Sequence, residues 1–210
     1  MTNRAHQPIT LATKITIVRL LGVPVFVVLL LYYLASIRAG APVEMYRQAA
    51  LIQFLLIAST DALDGYLARK RGEVSRLGSI LDPIADKALM VSGLILLTKP
   101  SLPELAPHIP LWFTSLVISR DVFLIVGALL IHAFARDVHV KPHLTGKIAT
   151  VLHVVVIAWV LAQAAPAWFP WMVLLAAAFT AASWAIYLVA GLRQLEHAHR
   201  TAADCPTPGK

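Results

Sequence analysis

The fold class that the sequence predicts is an all-α integral membrane protein with six transmembrane helices. Three observations predict it. Hydrophobic residues make up 59% and charged residues only 14% of the 210 residues, and the mean hydropathy is +0.74; a soluble domain carries about 45–50% apolar and about 25% charged residues. Six segments are apolar over the length of about 20 residues that a bilayer-spanning helix needs. The basic residues collect on alternate connections between those segments. Together these exclude a disordered chain, a fibrous repeat and an ordinary soluble enzyme. The single Cys, Cys205, excludes a disulfide scaffold and a Cys-based zinc site and reads as a plain tail thiol.

The first span covers roughly 15–36. Thr10 is placed to N-cap a short amphipathic lead-in (Leu11, Ile15, Val18) lying at the interface, so residues 1–14 read as a cytoplasmic or interfacial N-terminal segment with a short interfacial helix. Ala39-Gly40-Ala41 looks like a cleavage site, but the span before it is too long for a signal-peptide core. The second span, roughly 46–70, carries Asp61 and Asp64. The third, roughly 79–98, follows Gly78 and holds Pro83 in its first turn, where a missing N–H costs little. The fourth, roughly 109–135, encloses Ser119-Arg120-Asp121. The fifth, roughly 144–164, has Lys141 and Lys147 at its start. The sixth, roughly 168–192, opens on Trp168 and Trp171, which with Trp112 and Tyr46 form an aromatic belt on the non-cytoplasmic side. Apolar residues surround these helices instead of forming one stripe, as lipid-facing helices require. Residues 15–192 are then one six-helix transmembrane catalytic domain and 193–210 a cytoplasmic tail, whose end Thr201–Lys210 reads as disordered.

The basic residues set the orientation. Of 18 Lys and Arg, 14 fall on one side, Arg19 among them; Arg38, Arg47 and Lys99 fall on the other, and Arg120 lies inside a span. The positive-inside rule places both termini in the cytoplasm. The net charge of +7 is then a record of topology with anionic headgroups as counter-charge, and no nucleic-acid partner is needed. The compartment expected is a bacterial inner (cytoplasmic) membrane; an organelle membrane is the alternative, though no Arg- and Ser-rich transit peptide stands at the N-terminus.

The acids are more informative. Five of the 11 Asp and Glu lie inside apolar spans: Asp61, Asp64, Asp82, Asp86 and Asp121. An Asp at a helix centre costs about 2.5–3.5 kcal/mol on insertion scales, so such residues face a cavity and work there. Asp61 and Asp64 are three apart and Asp82 and Asp86 four apart, so each pair shares a helix face. The short basic loop between them predicts antiparallel neighbouring helices whose acidic faces meet. Gly65, Ala68, Gly78 and Ala85 are small enough for close approach. Four carboxylates at short range need a compensating cation. All-oxygen ligation suits two Mg²⁺ or Mn²⁺ ions, which can clamp a diphosphate. Arg69, just past Asp64, has the planar fork to hold phosphate or nucleotide.

The pattern Asp-x2-Asp-Gly-x2-Ala-Arg-x8-Gly-x3-Asp-x3-Asp is complete from Asp61 to Asp86. It resembles the signature of the CDP-alcohol phosphatidyltransferase family, and the six-span layout extends the likeness over nearly the whole chain. The resemblance implies that family's fold and its reaction: a CDP-linked lipid or alcohol gives up its phospho-group to a hydroxyl acceptor and releases CMP. It implies that Asp61, Asp64, Asp82 and Asp86 bind two divalent cations, that Asp86 is the general base, and that Gly65, Ala68, Arg69 and Gly78 frame the CDP moiety. It leaves a homodimer open. An acid-relay transporter also uses intramembrane Asp but has no need of the Gly, Ala and Arg framing. A scaffold whose buried acids only specify packing is the bland alternative.

Two branches of the family bear on the acceptor. Thr16–Pro24, Asp64–Lys70 and Leu81–Lys87 are similar to phosphatidylglycerophosphate synthases, which take CDP-diacylglycerol and glycerol 3-phosphate. Ile118–Val122 with Lys141-Pro142 and Gly146-Lys147 is also similar to cardiolipin synthases, whose acceptor is phosphatidylglycerol. The expectation is glycerol 3-phosphate. Arg120, Lys141 and Lys147 are the candidates for gripping its phosphate; the plain alternatives are a structural Arg120–Asp121 pair and topology-setting lysines. The eight His residues show no metal-ligand spacing.

Overall fold

The computed structural model describes the backbone of residues 11–71, 78–98, 107–134 and 144–203, and the side chains of 18–60, 84–98, 107–127 and 144–191. Every regular element there is an α-helix: α1 Leu11–Arg38, α2 Glu44–Arg71, α3 Gly78–Leu97, α4 Leu111–Phe134, α5 Leu144–Ala162 and α6 Phe169–Ala203. Each expected span corresponds to one helix. Three of them are long and apolar enough to cross a membrane: Val18–Arg38 in α1, Leu144–Ala162 as α5, and Phe169–Gly191 in α6. The helices form two units, Met1–Ile109 with Ile157–Pro166, and Pro110–Val156 with Ala167–Lys210.

Three local expectations change. Leu11–Lys14 run without a break into α1, so no separate interfacial helix precedes it among the described residues; residues 1–10 lie outside them. Pro83 sits beyond the first turn of α3, because that helix already starts at Gly78; there proline removes the donor for a carbonyl four residues back. The tail expected to be disordered from Thr201 is helical through Ala203, and α6 crosses the 192/193 boundary without a break. Leu192-Arg193-Gln194-Leu195-Glu196 are good helix formers, so propensity carries the helix on after hydrophobicity ends.

In the first unit α1 packs against both α2 and α3. Its inward stripe is Arg19, Val23, Phe26, Leu30, Tyr33, Leu34 and Ile37, all buried at helical spacing. Phe26 meets Phe54 of α2 with ring centroids 5.6 Å apart. Gly22 lets α2 approach: Gln53 Nε2 donates to the Gly22 carbonyl at 2.8 Å. The opposite stripe, with Val18, Leu21, Val25, Val28 and Tyr32, is equally apolar yet exposed. An outward face of that kind needs lipid beside it.

The ends of these helices satisfy their own carbonyls. Ala39-Gly40-Ala41 is the C-cap of α1: Gly40 has φ +73°, its N–H reaches the Ile37 carbonyl, and the Ala41 N–H reaches Ser36. That is a Schellman cap, and glycine supplies the left-handed residue. At the end of α5 Gln163 takes that role at φ +50°, with its Nε2 donating to Tyr33 Oη at 3.1 Å. Arg47 of α2 donates to the Leu161 carbonyl and pairs with Glu44.

In the second unit α4 packs against α6. The inward stripe of α6 is small: Val173, Ala176, Ala177, Thr180 and Ser183. Small residues let helix backbones approach closely in a membrane. His153 of α5 is buried; its Nε2 lies 2.8 Å from Thr180 Oγ1, and the Thr180 hydroxyl donates to the Ala176 carbonyl. The imidazole N–H therefore donates to threonine. Phe113 closes over the ring edge-on at 5.7 Å, which makes His153 a packing residue.

Removing one ring of the α1–α2 contact should be costly. Phe54 is fully buried, and Phe54→Ala is expected to lower stability by about 3–5 kcal/mol. Leu56→Ala, at a 62% exposed position on the same helix, is the control and stays within about 0.5 kcal/mol. Unfolding midpoints in detergent micelles measure both.

Candidate active site

The signature residues lie on two helices. Asp61, Asp64, Gly65, Ala68 and Arg69 occupy the last turns of α2, Gly78 opens α3, and Asp82 and Asp86 follow within its first turns. Helical backbone through 61–71 keeps Asp61 and Asp64 in i,i+3 register, and α3 keeps Asp82 and Asp86 in i,i+4 register. The side chains of Asp61, Asp64, Arg69 and Asp82 lie outside the described residues, as does Lys141 altogether. Among the described residues no three His, Cys, Asp or Glu side chains converge.

Asp86 is the member of the acid set whose side chain is described. Its neighbour Ala85 is fully buried, as is Leu89 one turn on, so Asp86 stands at the edge of the packed face of α3. Its carboxylate is 40% exposed and lies 3.8 Å from Arg19 Nη1 on α1. The Arg19 side chain is only 2% exposed. Counting basic residues by side treats Arg19 as an orientation charge, but the structure buries it. The signal was available: Arg19 stands four residues before Val23 and seven before Phe26, in register with the inward stripe of α1.

The donor set suits a hard cation. Four carboxylates offer oxygen ligands alone, which fit Mg²⁺ or Mn²⁺ and not zinc. The Asp86 carboxylate is 40% exposed.

The second unit holds the other buried guanidinium. Arg120 is 6% exposed. Its Nη1 donates to Asp121 Oδ1 at 2.8 Å and its Nη2 to Ser183 Oγ of α6 at 3.0 Å. Its Nε is buried and makes no hydrogen bond, and the same holds for Thr145 Oγ1 on α5. Gly146 allows this packing: a Cβ there would stand 3.2 Å from Arg120 Nη2, 3.4 Å from Ser183 Oγ and 3.5 Å from Tyr187 Oη. Lys147 follows Gly146 and is exposed. The Arg120–Asp121 pair is thus real, and the arginine is also tied to α6. Ser183 and Tyr187 carry no chemical signature in an apolar run, and Gly146 stood out only beside Lys147, so the fold reveals their contact with Arg120.

Comparison with known proteins bears on the family. The family model described as CDP-alcohol phosphatidyltransferase matches residues 9–188. The chain is 31% identical over 159 residues to the CDP-diacylglycerol–glycerol-3-phosphate 3-phosphatidyltransferase of Bacillus subtilis (strain 168), covering 74% of this chain and 78% of that one. It is 30% identical over 153 residues to the protein of the same description from Escherichia coli (strain K12), covering 71% and 75%.

The arginine cluster makes a stability prediction. Ser183→Ala removes one acceptor from a buried guanidinium and is expected to cost about 1.5–3 kcal/mol. Gly146→Val puts a Cβ 3.2 Å from Arg120 Nη2 and adds two methyl groups in the same crowded space, and is expected to destabilise further. Thermal unfolding of the purified variants in one detergent checks both.

Proposed function

The chain belongs to the CDP-alcohol phosphatidyltransferase family, and from that premise we propose that it transfers the phosphatidyl group of CDP-diacylglycerol to glycerol 3-phosphate and releases CMP. The single observation that carries this reading is the signature of four aspartates held in helical register on α2 and α3, in a chain whose relatives are named for that reaction over three quarters of their length.

The residues divide the work as follows. Asp61, Asp64, Asp82 and Asp86 hold two divalent cations, Mg²⁺ or Mn²⁺. When bound, the cations neutralise the diphosphate and polarise it. Gly65, Ala68 and Gly78 leave room for the CDP moiety at the ends of α2 and α3, and Arg69 supplies a planar fork for its phosphate. Asp86 takes the proton of the acceptor hydroxyl. The acceptor oxygen attacks the phosphatidyl phosphorus, a new P–O bond forms, and the bond to the CMP oxygen breaks in line. No covalent intermediate is needed. Arg120, Lys141 and Lys147 recognise the phosphate of the acceptor, which lysine binds as a point charge.

The exposed apolar faces support reading all six helices as spans. Ile52, Leu55 and Leu56 on α2, Ile95 on α3, and Ile125 and Val126 on α4 are exposed, as on the three helices that meet the length and composition of a span. The protein then sits in a bacterial inner membrane with the active site and both termini in the cytoplasm, following the basic residues.

The direct test is CMP release by purified protein with CDP-diacylglycerol, Mg²⁺ or Mn²⁺, and a panel of acceptors. Release that depends on glycerol 3-phosphate is expected; release only with phosphatidylglycerol would move the protein to the cardiolipin-forming branch. Asp86→Asn is expected to abolish release while Mn²⁺ still binds, more weakly, through the other three aspartates, and near-normal turnover would remove the base from Asp86. Lys147→Met is expected to raise KM for glycerol 3-phosphate by about tenfold, the equivalent of one charge-assisted contact, with little change in KM for CDP-diacylglycerol.

A further inference from the structure

Among the described residues Arg19 is the one charged member of the inward stripe of α1. Everything else on that stripe is apolar or, in Tyr33, aromatic. A guanidinium buried to 2% exposure is covered by protein and is poorly placed to serve as a headgroup anchor. Intramembrane arginines face a partner inside the protein. Among the described residues Asp86 is an acidic partner, with Arg19 Nη1 3.8 Å from Asp86 Oδ1. That distance is an ion-pair contact and not a hydrogen bond, so Arg19 acts on the carboxylate as a charge from its inner side. The carboxylate itself stands 40% exposed at the edge of the packed face of α3, next to fully buried Ala85. One helix, α1, packs against both α2 and α3, the helices that carry the signature acids. The side chain it contributes at this level is thus placed to fix one of those acids from behind.

We infer that Arg19 is a positioning residue: it holds the Asp86 carboxylate in the orientation needed for cation binding and for accepting the proton of the acceptor hydroxyl. This rests on the reading of Asp86 as cation ligand and base. Arg19 touches neither substrate nor cation in this role and acts on the site through the Asp86 carboxylate. A simple electrostatic role has the opposite sign. Removing a positive charge beside a cation site should tighten cation binding, whereas losing the orientation of a ligand should weaken it.

The test is Arg19→Met, which removes the charge and keeps an unbranched apolar stem. Mn²⁺ binding to the substrate-free protein is followed by electron paramagnetic resonance, independently of turnover. The expected result is a Kd for Mn²⁺ raised about tenfold, as for loss of an outer-shell partner of a metal ligand, and kcat lowered about tenfold or more with KM for both substrates nearly unchanged. In an Asp86→Asn background the same substitution should add nothing to the loss of Mn²⁺ affinity, because both changes act on one carboxylate. Unchanged or tighter Mn²⁺ binding in Arg19→Met overturns the inference, as does a loss of activity that tracks only the folded fraction. Should Arg19→Met fail to fold, Arg19→Gln, which keeps a polar amide without charge, is read by the same measurements and criteria. The Mn²⁺ measurement stands apart from the reaction: absence of CMP release by the wild type would overturn the proposed function, while Mn²⁺ binding would still decide on Arg19.

Discussion

A charge placed in an apolar helix must be offset, and the rest of this structure depends on how that is done. Burying an arginine or an aspartate at a helix centre costs about 2.5–3.5 kcal/mol on insertion scales. The chain has few charges and puts several of them where they cost most. Each described case has its counterpart. Arg19 faces Asp86. Arg120 is tied to Asp121 and Ser183. Arg47 pairs with Glu44 and donates to a carbonyl at the end of α5. The last is a capping device at a helix end; the first two are not needed to end any helix. Packing alone would be served as well or better by leucine at those positions. Their presence is what separates a site from a core.

Each unit organises one buried arginine in its own way. In the first, the arginine stands at the N-terminal end of a helix-packing stripe and meets an acid on the exposed edge of its neighbour. In the second, the arginine is fixed by hydrogen bonds at two nitrogens and closely packed against Gly146. The first arrangement leaves the acid 40% exposed. The second fixes the guanidinium itself.

Much of this was legible in the sequence. Six apolar segments gave six helices, because in this composition span length and helix length nearly coincide. The spacing of Asp61, Asp64, Asp82 and Asp86 was readable because helical register is fixed by the backbone alone. What stayed hidden depended on tertiary packing. Arg19 near the start of a span reads as a topology charge until the inward face of α1 is known. Ser183 and Gly146 are ordinary small residues until Arg120 is set between them. The length of α6 was underestimated because its last turns are held by helix-forming polar residues, which a hydropathy reading passes over. Ala39-Gly40-Ala41 carries small residues that suit a backbone conformation, the left-handed cap at Gly40.

The central claim is that the four signature aspartates exist to hold divalent cations. Anomalous scattering from crystals of the protein grown in lipid with Mn²⁺ tests it most directly. Mn²⁺ peaks should fall between α2 and α3, within coordination distance of Asp61, Asp64, Asp82 and Asp86, at about 2.0–2.3 Å from carboxylate oxygens. Peaks bound elsewhere, or none at these carboxylates at saturating Mn²⁺, would contradict it.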